Sequence, residues 1–287
     1  MVCQLARLCR PLRLVAFLFV LALGRPAGAA GVPLTVEFVA EVNGAPFACG
    51  KTYAKVGRPA AQWQPQDLRL YVSQVALVTA GGERLPVTLL ADDTWQRDGV
   101  ALLDFEDKTG LCKNGTRETN KSLRGTHAGT APAAGLAFDI AVPFELNHAD
   151  AAAAMPPLDQ AGMFWSWQGG YKFLSVDGRV NGKFGHSAHI GSTGCELDGP
   201  NRVASCARPN HIHVELKAFD PTRDVVVVDV GHLLANSALA AHAHAGANGC
   251  MSEPDNAACV PVFEQAGISA QWPQRFVGAR ARGRAGQ

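Results

Sequence analysis

The feature that most limits what this chain can become is a short apolar pattern, strongest at residues 68–78, Leu-Arg-Leu-Tyr-Val-Ser-Gln-Val-Ala-Leu-Val. Its β-branched and alternating character predicts a strand. Shorter runs of the same kind occupy residues 32–40, 46–53, 85–90, 100–105 and 135–143, and Asn43-Gly44 and Gly81-Gly82 supply turns between them. Short strands at turn-punctuated intervals predict an all-β fold. The expected form is a mostly antiparallel β-sandwich or barrel-like single domain, with long disulfide-stapled loops and one or two short helices. The Pro-, Gln- and Ala-rich stretch before Leu68 reads as a loop, and residues 151–154 as a helical turn that Met155-Pro156-Pro157 breaks.

The first 29 residues read as a secretory signal peptide. Arg7, Arg10 and Arg13 precede an apolar run at residues 14–23, and Ala27-Gly28-Ala29 supplies a small-residue cleavage site. The Ala-, Arg- and Gly-rich composition suggests a bacterial source, so the periplasm is the expected compartment. Neither a repeat nor a Pro/Ser linker divides the remainder, which gives one β-rich domain over residues 30–277 and a disordered basic tail over residues 278–287. With 26 basic and 25 acidic residues, the charge balance does not point to nucleic acid or an anionic membrane as the main partner.

Cleavage leaves Cys49, Cys112, Cys195, Cys206, Cys250 and Cys259, an even number in an oxidising compartment with no C-x-x-C pair among them. Three disulfides are therefore expected rather than thiolate metal ligation. Cys195–Cys206 and Cys250–Cys259 each close a short polar loop, which leaves Cys49 to reach Cys112.

With the thiols locked, metal chemistry falls to imidazole and thioether. Trp165 and Trp167, two apart in a strand-like stretch, share a face with Met163, and His148 and His189 stand at strand-to-loop junctions. An imidazole pair with a soft third ligand suits copper. His211 and His213 have the spacing of a second two-imidazole site, and His242 and His244 that of a tail pair. Asp104, Glu106 and Asp107 offer hard oxygens for Ca²⁺ but lack the spacing of a calcium loop. Two other functions compete with copper binding: a mononuclear copper oxidoreductase using His189, His211 and His213, and a carbohydrate-binding module that stacks sugars on Trp165 and Trp167.

Several blocks, taken in order, carry a resemblance. They are Phe47-Ala48-Cys49-Gly50, Leu102-Leu103-Asp104-Phe105-Glu106-Asp107, Pro143-Phe144-Glu145-Leu146-Asn147-His148, Phe164-Trp165-Ser166-Trp167-Gln168-Gly169-Gly170-Tyr171-Lys172-Phe173, His189-Ile190-Gly191-Ser192-Thr193-Gly194-Cys195 and Gly249-Cys250-Met251. Together they resemble the MbnP-like proteins, the four-Cys-motif members of the metallo-mystery pair. The resemblance implies a periplasmic Cu(I)-binding protein without catalytic turnover, serving copper acquisition, storage or transfer. It also implies that a partner di-haem protein, similar to cytochrome c peroxidases, oxidises a tryptophan to kynurenine, whose aryl amine joins imidazoles around the metal. On matching positions it implies His148 and His189 as ligands and Trp165 or Trp167 as the modified residue.

Overall fold

A 19-residue strand, Ala61–Thr79, runs through the centre of the protein. The computed structural model describes residues 31–129, 132–200, 202–239, 248–253, 255–268 and 273–283; the expected signal peptide, His242 and His244 lie outside these. The strand begins seven residues earlier than residue 68, inside the stretch that reads as a loop. Its signal there is alternation with Trp63 as the one large apolar side chain: Ala61, Trp63, Pro65 and Asp67 are buried, while Gln62, Gln64 and Gln66 face outward. Pro65 fits because the ladder to Leu174–Val180 is irregular at that point, where Asp177 pairs with Asp67 and Gly178 with Pro65.

From Leu68 to Ser73 every side chain is buried, so both faces are covered there. One edge of the long strand takes Leu174–Val180 and then Ala133–Ile140; the other takes Tyr53–Val56, Val100–Asp104 and Arg84–Leu89. Gln74, at φ 53°, sits where the ladder to Ala133–Ile140 is interrupted between Ser73 and Ala76. Such a bulge bends a strand, and here it lets one sheet curl around a common core.

Leu174–Val180 folds back on Phe184–Ile190 through Asn181-Gly182, both with positive φ, as a tight antiparallel hairpin requires. Val32–Val42 pairs antiparallel with Ser122–His127 and parallel with Asp224–Asp229. The core between these layers holds Phe38, Trp63, Tyr71, Tyr171 and Phe173, each at most 2 % exposed. Burying each stabilises the fold by about 1.5–3 kcal/mol.

The chain is thus an all-β domain, and its described residues, from 31 to 283, form one compact unit. Its helices number three among the described residues rather than one or two: Phe144–Asn147, Val230–Leu233 and Cys259–Ala266, with a 3-10 turn at Ala151–Ala153. The disulfides are Cys49–Cys112, Cys195–Cys206 and Cys250–Cys259. Among the described residues no helix is long and apolar enough to cross a membrane.

The expectation of a disordered tail over residues 278–287 is corrected for residues 278–281; residues 284–287 lie outside the described residues. Val277–Ala281 is a strand, paired antiparallel with Asp224–Asp229. Its basic character has a use, because the Arg280 guanidinium hydrogen-bonds Glu41, which is only 5 % exposed.

The acidic run at Asp104 also resolves differently from a calcium loop. Asp104 and Glu106 turn inward towards Arg69, whereas Asp107 is exposed and accepts the Thr109 N–H and hydroxyl. The strand ends at Asp104, and the turn beyond it buries Glu106 and leaves Asp107 in solvent, so the three carboxylates are not presented together.

Candidate metal centre

The tryptophan stretch forms a small hairpin of Phe164–Ser166 against Gly170–Tyr171. Ser166 ends the first strand by accepting the Gly169 N–H at 2.9 Å, which places Trp167 in the turn. Met163, Trp165 and Trp167 therefore do not share one face. Met163 is fully buried in the core, Trp165 is half-buried, and Trp167 is 51 % exposed. A strand of three residues is too short to carry the expected alternation across all three positions.

Two contacts fix the hairpin. Asn147, at the end of the helix Phe144–Asn147, accepts the Tyr171 N–H on Oδ1 at 2.8 Å and donates from Nδ2 to the Gly169 carbonyl at 3.3 Å. Gly170 has φ 77°, and a Cβ there would fall 2.3 Å from Asn147 Oδ1, so both conformation and space require glycine.

His189 is carried to the site by the strand Phe184–Ile190. Its Nε2 lies 2.9 Å from Asp177 Oδ1, and its ring meets Trp165 edge-on with centroids 6.3 Å apart. The indole also lies against Gly191, where a Cβ would come within 3.2 Å of the indole ring and 2.6 Å of the Tyr171 carbonyl oxygen. Ser252 Oγ ties the strand end down by donating to the His189 carbonyl at 3.0 Å and accepting the Gly191 N–H at 2.9 Å.

Burial pushes the Asp177 carboxyl up, but hydrogen bonds from His189 and Ser187, with the positive fields of His189 and Lys172, outweigh it and hold the group below the usual carboxylate range. An ionised carboxylate only accepts. In the neutral imidazole it therefore fixes the proton on Nε2 and leaves the lone pair on Nδ1, the carboxylate–histidine arrangement that orients metal ligands.

Trp165 lines a cleft of about 510 Å³ with Gln168, Ser192, Thr193, Met251 and Glu253. The thioether at this cleft is Met251 rather than Met163. Thioether is a soft donor and imidazole a borderline one, a combination that suits copper, and an aryl amine derived from an indole would add a nitrogen.

His148 stands elsewhere, at the C-terminal cap of the helix Phe144–Asn147. Its Nε2 is 3.1 Å from Asn147 Nδ2 and 3.3 Å from Cys206 Sγ, and its ring is 4.7 Å from that of Phe144. Burial pushes its pKa down, and its Nδ1 is buried with no hydrogen-bond partner. The structure thus brings His189 together with Trp165 and sets His148 against the Cys195–Cys206 disulfide.

His211 and His213 lie on the wall of another cleft, about 850 Å³, with Asp139, Phe144 and Glu145. The antiparallel register sets His213 opposite Asp139, and its Nδ1 is 2.7 Å from Asp139 Oδ1. The two rings are 6.4 Å apart. His189 is not among the residues that line this cleft. Of the two tryptophans, Trp165 packs against Gly191 and Trp167 stands in the turn.

Sequence reasoning missed Asp177, Asn147 and Met251. Asn147 and Met251 each adjoin a residue singled out by pattern, but Asp177 could be found only from strand register.

The family model of MbnP matches residues 32–252. Among solved structures, MbnP from Methylosinus trichosporium superposes with a TM-score of 0.75 at 27 % identity, covering 88 % of this chain and 99 % of that one. No curated protein matches the sequence. The match spans the hairpin, both candidate histidines and five of the six disulfide cysteines, and the chain belongs to the MbnP family.

Proposed function

We propose that this protein is exported to the periplasm and binds copper(I) there for acquisition, storage or transfer, without turning over a substrate. One observation carries the reading: Trp165 is held edge-on against His189, whose other face is fixed by Asp177. A tryptophan held that way, beside a cleft with Met251, becomes a nitrogen ligand if its indole ring is opened to kynurenine. The oxidant would be a partner of the di-haem peroxidase class. Trp165 rather than Trp167 is then the modified residue, because Trp167 stands in the turn, half in solvent.

Mass spectrometry of peptides from protein made in its native host, combined with metal analysis, tests this. The expected result is kynurenine at residue 165 and one tightly held copper, with Trp165→Phe losing both and Trp167→Phe keeping the copper ligand set. Unmodified Trp165 in copper-free native protein refutes the reading.

A further inference from the structure

The three disulfides are not alike. Cys49, Cys112, Cys250 and Cys259 are at most 2 % exposed, whereas Cys195 and Cys206 are less deeply buried. Cys195 and Cys206 face each other across Thr193–Leu197 and Val203–Arg208, a two-stranded sheet separate from the main one. Opening this link leaves the main ladder untouched. His148 Nε2 lies 3.3 Å from Cys206 Sγ, and the two sulfurs and an imidazole nitrogen all fall within 4.8 Å of one another.

The tautomer of His148 follows from its neighbours. Asn147 Oδ1 is occupied by the Tyr171 N–H, so its Nδ2 donor end faces His148 Nε2. The imidazole nitrogen must accept, which puts its proton on Nδ1 and its lone pair on Nε2, beside the sulfurs. That is the protonation state of a metal ligand.

We infer that His148, Cys195 and Cys206 form a latent copper(I) site that opens when the disulfide is reduced. A dithiol reductant gives two electrons to Cys195–Cys206, leaving as its own disulfide, and the protein keeps two thiols. Copper(I) then replaces both S–H protons, which pass to solvent, and takes the His148 Nε2 lone pair with no further proton change. With metal–sulfur bonds of about 2.3 Å and a metal–nitrogen bond of about 2.0 Å, trigonal ligands sit about 4 Å apart. The parted sulfurs reach that spacing by side-chain rotation. Three donors, two of them thiolate, favour copper(I) over zinc(II), which takes four.

The test uses the mature oxidised protein, treated anaerobically with a dithiol and desalted. Differential alkylation read by peptide mass spectrometry is expected to show Cys195 and Cys206 open and the other four cysteines closed. Titration of copper(I) against a chromogenic chelator is expected to give one more bound ion than the oxidised protein holds, with sulfur donors visible by X-ray absorption.

His148→Gln is expected to weaken that ion at least tenfold, and Cys195→Ser with Cys206→Ser to abolish it while circular dichroism stays unchanged. Trp165→Phe is expected to keep it, which separates this proposal from the kynurenine site. Equal uptake before and after reduction, prior opening of a buried disulfide, or unchanged affinity in His148→Gln each overturns the inference.

Discussion

Replacing Arg69 by methionine should expose how the centre of the fold is held. Arg69 is 2 % exposed and binds Asp67 through Nε at 2.8 Å and Nη2 at 2.6 Å, while Asp104 stands opposite it in the ladder to Val100–Asp104. Asp67, Asp104 and Glu106 are all at most 3 % exposed, so one guanidinium serves three buried carboxyls. Burial works against the guanidinium, but the Asp67 hydrogen bonds and the field of all three acids more than offset it and raise its pKa. Removing one partner of a buried pair costs about 3–5 kcal/mol. For a domain of this size that lowers Tm by roughly 6–10 °C.

The loss should depend on pH. Burial pushes Asp104 up to about 7 against the opposing pull of Arg69, and burial raises Glu106 as well. Groups whose folded pKa lies above the unfolded value, near 4 for a carboxyl, add stability that is complete below the unfolded pKa. That stability is lost as pH rises through about 7. Without Arg69 both carboxyls climb further, so Arg69→Met should be most impaired at about pH 8 and nearer to wild type at about pH 5. Urea unfolding at both pH values measures this. A loss below about 1 kcal/mol, or the same loss at both pH values, refutes the argument.

Asp177→Asn should lower copper affinity about 10–100-fold without changing the fold, measured by chelator competition, because it releases the orientation of His189. Gly170→Ala should displace Asn147 and with it the tryptophan hairpin. Loss of the edge-on Trp165–His189 contact would appear as changed tryptophan fluorescence and slower kynurenine formation. Breaking Cys49–Cys112, which closes a loop of 63 residues, should cost roughly 4 kcal/mol, against roughly 2.5 kcal/mol for Cys250–Cys259, whose loop is 9. Calorimetry of the paired serine variants ranks the two.

Much of the scaffold was legible before any coordinates. Val32–Val42 and Ala133–Ile140 announced themselves by alternation and Val100–Asp104 by a continuous apolar run, and two short cysteine loops fixed the third disulfide by remainder. What stayed hidden depends on pairing across distance. Residues 61–67 alternate through glutamines, so a hydrophobicity pattern does not show them. Val277–Ala281 looks like a charged tail until Asp224–Asp229 is seen to lack a partner on that edge. At the site, histidine and tryptophan were visible as residue types. The Asp177–His189 contact required knowing that Leu174–Val180 lies against Phe184–Ile190, and the meeting of His148 with Cys206 required the placement of a separate two-stranded sheet.

The parallel ladder between Val32–Val42 and Asp224–Asp229 has a consequence in time. Phe38 finds Val226 only after most of the chain has been made, and the strand that covers the outer edge of that partner, Val277–Ala281, comes last of all. Residues 32–37 can pair earlier with Ser122–His127, but residues 38–41 of the same strand wait for a partner from the final quarter of the sequence. A chain built this way has high contact order and folds slowly. During synthesis it stays threadable, the condition a polypeptide needs if it is to pass through a membrane before it folds.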